Sequence, residues 1–368
     1  MRGGRPHAPI RPIGYRPPRR GGWSSFSPRR KFRLIRTGVI ALTLVVLISV
    51  TLSRCGSDDP ATKSGSTTTT AKPKATTTSA VPLNLTATVL NNKLPSSHYQ
   101  AQATTVGGKV LVLGGLSKSK SSTNVIWSFD PATGSTTQTG SLTSTLNSAA
   151  ATAFGNTVFV VGGATPKGSV DTIQSYGVGD KAAAAVGKLP GPRTDAVAVT
   201  DPKTSAVYLV GGWDGTNPTN DVLMSTDGVT FTPIVALAEP VRFASAAILD
   251  GVLWVFGGEW NDIASGSIQR IDLAKRESKV VAQMPETVSR AMGFVIDDSI
   301  FLAGGRVAAG RSNQIRRFDT ETFTFTQAGA LTSNLSDAAV AVVGRTAYVL
   351  GGLAPLATNQ IQQLSPTP

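Results

Sequence analysis

Six apolar runs in this chain each end in a pair of glycines: KVLVLGG at Gly114-Gly115, TVFVVGG at Gly162-Gly163, AVYLVGG at Gly211-Gly212, VLWVFGG at Gly257-Gly258, SIFLAGG at Gly304-Gly305 and TAYVLGG at Gly351-Gly352. Their first glycines lie 48, 49, 46, 47 and 47 residues apart. A period this constant marks stacked copies of one supersecondary unit, none of which buries its apolar face alone. A segment of small residues precedes the pairs, as in Ser148–Phe154, Asp195–Thr200 and Asp337–Val343, and suits the most crowded strand of such a unit. After each pair come a polar loop and a strand with an apolar anchor: Trp127 and Phe129, Tyr176, Leu223, Ile271, Phe318 and Ile361. A second series, Leu142, Leu189, Leu237, Met284 and Leu331, closes a fourth strand. Four strands per unit predict an all-β, six-bladed β-propeller over residues 84–368.

The apolar run, the glycine pair and the aromatic- or aliphatic-Asp step that follows (Phe129-Asp130, Ile271-Asp272, Phe318-Asp319) resemble Kelch repeats, of the membrane-anchored bacterial kind. The second unit departs with Tyr176-Gly177, and the third has the looser Ser225-Thr226-Asp227. The last unit stops after a third strand near Asn359–Leu364, whereas Asn84–Leu94 is a strand with its own terminal leucine, 48 residues before Leu142. The N-terminal strand is therefore expected to complete the sixth blade, removing open sheet edges.

Ahead of the repeats the chain changes character. Of 35 lysines and arginines, 11 fall within residues 1–36, and no acid precedes Asp58; from Leu85 onward 20 basic and 20 acidic residues balance. The net charge of +13 thus belongs to the N-terminal segment, and the propeller is not expected to bind nucleic acid. Residues 37–53 are uncharged and rich in Val, Leu and Ile, between Arg36 and Arg54. They are long enough, at about 26 Å, to cross a bilayer with some thinning. The expected order is a basic cytoplasmic tail (1–36), a transmembrane signal anchor (37–53), a Ser/Thr/Pro-rich stalk (54–83) and an extracytoplasmic propeller at the plasma membrane. Two other readings stay open. Arg29-Arg30-Lys31-Phe32 resembles a twin-arginine export signal, with Arg33 where an apolar residue is usual, and Leu52-Ser53-Arg54-Cys55 resembles a lipoprotein box, with Arg54 where a small residue is usual.

One cysteine, Cys55, and two histidines, His7 and His98, cannot assemble the familiar zinc patterns, so neither a metal nor another cofactor is expected. Loops that follow the second strand and loops that precede the first emerge on one face of a propeller, around the channel mouth, where ligands are expected. Ahead of successive inner strands stand His98, Asn147, Arg193, Arg242, Arg290 and Ser336. Taken as matched positions, Arg193, Arg242 and Arg290 form a basic arc suited to an anion. The loops after the third and fourth glycine pairs add Trp213, Asp214 and Asn217, then Glu259, Trp260, Asn261 and Asp262. Tryptophan beside such polar groups serves sugar stacking or a protein hot spot. Pairing of each arginine with a nearby acid, and packing of each tryptophan on its neighbours, are the structural alternatives.

The expected function is a protein- or glycan-binding scaffold, with no catalytic residue assigned. Resemblance to a sialic-acid epimerase, a Kelch propeller, implies an alternative in which Glu259 faces Arg306 and moves a proton next to a carboxylate. A third class is the sensor half of a signalling complex, which needs a partner because the 36-residue tail holds no catalytic domain.

Overall fold

The computed structural model describes residues 82–367. The basic tail, the apolar run 37–53, Cys55 and the stalk up to residue 81 lie outside that range. Among the described residues no helix is long and apolar enough to cross a membrane.

Six antiparallel four-stranded sheets follow one another. The fourth blade shows the plan: Ser245–Leu249 innermost, then Val252–Phe256, Ser267–Asp272 and Glu277–Gln283 outermost. In the sixth, Ala339–Val343, Thr346–Leu350 and Gln360–Pro366 come from the end of the chain, and the outer strand is Leu85–Lys93 from its start. Leu85 pairs with Pro366 and Val89 with Gln362, so the N-terminal strand closes the ring as expected. Inner strands lie against the inner strands of neighbouring blades all the way round, the first against the sixth included.

The periodic sequence builds a periodic core. Each of six buried clusters joins one blade to the next, for example Leu111 and Leu113 to Val158 and Val160, or Trp254 and Phe256 to Ile300 and Leu302. The sixth-to-first interface holds Tyr348 and Leu350 against Val112, Trp127 and Phe129, with Leu94 beneath. Leu94, Leu189, Leu237, Met284 and Leu331 each follow an outer strand directly and are buried, while Leu142 sits within one. Both glycines of a pair take positive φ, as at Gly257 (58°) and Gly258 (93°), and a Cβ on Gly257 would collide with the Val288 carbonyl. This is the close approach that only glycine allows.

Asp130, Asp272 and Asp319 accept N–H bonds from residues two or three further on and so hold the turn to the outer strand. Where the second blade lacks that acid, Asp180 accepts from the Gly177 N–H instead. Inner strands begin two residues later than their composition suggests, at Ala150, Val197 and Ala339. The residues just ahead leave the β region to form the channel mouth.

Candidate functional site at the channel mouth

Six residues one period apart, Gln100, Ser148, Asp195, Phe243, Arg290 and Asp337, have φ between 49° and 58°. Left-handed backbone is uncommon for such side chains and is held here by tertiary structure. The N–H of each donates to the carbonyl of its counterpart in the preceding blade: Ser148 to Gln100, Asp195 to Ser148, Phe243 to Asp195 and Arg290 to Phe243 at 2.9 Å, Asp337 to Arg290 at 3.2 Å, and Gln100 to Asp337 at 2.8 Å. A closed ring of backbone hydrogen bonds thus encircles a cavity of about 180 Å³ at this end of the channel. The segments entering the blades and the loops after the glycine pairs meet on this face, as expected; Thr194 bridges Trp213, Arg242 bridges Glu259, and Ser289 bridges Arg306.

The ring corrects the register of the three arginines. Arg290 is a ring residue, Arg242 stands one position before it, and Arg193 two. Counterparts of Arg193, each receiving the N–H of a second glycine, are Leu146, Val241, Val288, Leu335 and His98. Arg193 therefore replaces a core side chain rather than joining an arc. Buried, it grips both oxygens of Asp221 at 2.9 and 2.8 Å and donates to the Gly211 carbonyl and the Thr219 hydroxyl. His98 is likewise buried, edge-on to Trp127, and burial lowers its pKa.

Arg242, Arg290, Glu259 and Arg306 do come together, with Asp262 and with Asp337, an acid that the sequence reading did not single out. Arg290 donates to Glu259 Oε1 (3.2 Å) and Asp337 Oδ1 (2.9 Å), and its guanidinium lies 3.3 Å from the Phe243 ring centroid. Arg242 pairs with Asp262 and, at 3.7 Å, with Glu259, and covers Trp213 at 4.7 Å. Arg306 reaches Asp337 at 3.4 Å, so Glu259 faces Arg242 and Arg290, not Arg306. Asn147 donates to the Ser122 hydroxyl, and Ser336 donates to Asp337 Oδ2. Asp214 is spent on its own loop, accepting the Thr216 and Asn217 N–H groups, which lower its pKa. Trp260 stands away from this network on an exposed hairpin, opposite Ile263.

The two acids of the ring differ. Asp337 is 1% exposed; burial raises its pKa, but Arg290, Ser336 and Arg306 outweigh burial and hold the carboxyl below its usual range. Asp195 lies three blades away, across the mouth, with the Ser148 hydroxyl against it and no ion-pair partner among the described residues. Burial pushes its pKa up to about 6, against the pull of Ser148, Arg290 and Arg242. The sequence did carry a signal for both acids, since each stands two residues ahead of an inner strand, in step with the period.

A Kelch motif model matches residues 98–135, within the first blade. A Kelch-like protein, terF, from Aspergillus terreus (strain NIH 2624 / FGSC A1156) is 26% identical over 168 residues, 40% of this chain and 36% of that protein. The match thus spans about a third of the relative's length. With six closed, four-stranded blades, these similarities support a Kelch-repeat propeller.

Proposed function

We propose that this Kelch-repeat propeller is a membrane-anchored, extracytoplasmic scaffold whose partner is a protein that docks on the loop face around the channel mouth. One observation carries the docking face. Of the five large apolar side chains left exposed among the described residues, three lie in the loops after the glycine pairs of the fourth and sixth blades: Trp260 (48% exposed), Ile263 (72%) and Leu356 (67%). The fifth blade's loop between them carries Arg306 opposite Arg311. Tryptophan and arginine among aliphatic groups is the composition of protein hot spots. Ile263 opposite Trp260, with Leu356 exposed on the loop two blades on, favours a protein over a glycan, which needs polar partners around its stacking ring. Anchoring rests on the apolar run 37–53 and its arginine flanks.

The test is capture of a partner by the full chain in its native membrane, with crosslinking and identification of what is bound. The triple variant Trp260→Ala, Ile263→Ala, Leu356→Ala is expected to lose at least tenfold of the captured partner, while Val178→Ala, Val186→Ala, altered at the blade edges, keeps it. Equal capture by both variants would overturn the face.

A further inference from the structure

We propose that the channel mouth is a socket for one basic side chain of the docked partner, a lysine ammonium or its chemical equivalent, with Asp195 as its counter-ion. The inference rests on the scaffold reading above and deepens it. It reverses the polarity that the arginine-rich loops suggest, because the arginines nearest the cavity are already matched. Arg290 is held by Glu259 and Asp337, Arg242 by Asp262 and Glu259, and Arg306 by Asp337. Arg311 donates to the Ser336 hydroxyl, which in turn donates to Asp337.

Asp195 is the acid this network leaves over. It lines the cavity with Ser148 and Ala196, and the groups that act on it are Ser148, Arg290, Arg242 and Glu259. Across the ring, Asp337 is neutralised by its arginines and bonded to Gln100. Glu259, Asp262 and Asp337 each pair with an arginine of the mouth, which leaves Asp195 as the cavity-lining acid with no ion-pair partner among the described residues. At about 10–15 Å³ for a single water, the cavity of about 180 Å³ takes a small water cluster, or an ammonium head and part of its methylene stem. An entering cation would give the half-buried Asp195 carboxylate the ion-pair partner it lacks, through charge-assisted hydrogen bonds.

The probe is n-butylammonium, with butyrate as its anionic counterpart, added to the full chain and followed by ligand-observed NMR and thermal unfolding. Saturable binding of butylammonium is expected at pH 8. With Asp195 titrating near pH 6, binding should weaken about tenfold at pH 5, as its ionised fraction falls. Asp195→Asn should abolish saturation; asparagine tolerates positive φ, so the ring backbone is kept. Unchanged binding in Asp195→Asn would overturn the socket, as would saturable butyrate binding that disappears in Arg306→Ala. Partner capture separates the two proposals. If Asp195→Asn captures the partner as wild type does, the scaffold stands and the socket falls. If butylammonium binds through Asp195 while the loop-face triple variant still captures its partner, the socket stands and the docking face falls.

Discussion

Arg193 shows how one side chain changes meaning with one step of register. Five blades place an aliphatic residue or a histidine where the third places this arginine, and the bidentate bond to Asp221 neutralises it. Removing one partner of such a pair strands the other, whereas replacing both by matched uncharged groups is often harmless. Arg193→Leu is therefore expected to cost about 2 kcal/mol or more in urea unfolding, and adding Asp221→Asn to recover most of that loss. Asp195 makes the complementary prediction. Its pKa in the folded state, about 6, lies above the usual 3.8, so the native state holds the proton more tightly than the unfolded chain does. The contribution to stability is fully present below pH about 4 and is lost as pH rises through 6. Asp195→Asn should accordingly be more stable than wild type at pH 8, by about 1–3 kcal/mol, with the gap narrowing toward pH 4.5. A gap that widens on acidification would contradict this assignment. A carboxylate that weakens the free protein is the kind of residue retained for binding.

At the scale of the strand and loop, the glycine pairs and the leucine series made the blades legible because each is repeated and each has a single geometric use. Even the closing strand could be placed, since Leu94 keeps step with Leu142. The ring of left-handed residues was not legible in the same way. Its members Gln100, Ser148, Asp195, Phe243, Arg290 and Asp337 share no chemistry, only a backbone conformation. Counting from conspicuous arginines therefore gave a register wrong by one or two residues, and passed over the two acids that matter most to the cavity. Closure itself is testable. Leu85 is buried among Leu331, Ala347 and Leu364, and Leu94 between the sixth and first blades. A chain beginning at Val81 should fold, while one beginning at Ser96 loses both residues and leaves Gln360–Pro366 as an unpaired edge, with lower thermal stability and aggregation. Equal melting temperatures for the two chains would refute the role of that strand.

For the whole molecule, charge is divided along the chain. The propeller's acids and bases balance, so attraction at its loop face is local, set by the network at the mouth, while the excess of positive charge sits before Leu85. The proposed topology rests on an uncharged run with 11 basic residues on its N-terminal side and no acid before Asp58, for which the positive-inside rule expects the basic end in the cytoplasm. A reporter joined after Pro368 is then expected to be active only where extracytoplasmic reporters are, and a cytoplasmic signal would reverse the proposed topology. The same reporter separates anchor from lipid. If the uncharged run is the anchor, Cys55→Ser leaves the protein in the membrane fraction, because a run of 17 uncharged residues rich in Val, Leu and Ile binds a bilayer far more strongly than a thiol adds to it. If attachment instead depends on a lipid at Cys55 after cleavage of the run, the substitution releases or mislocalises the propeller, and the signal-anchor proposal fails while the propeller and its closure are untouched.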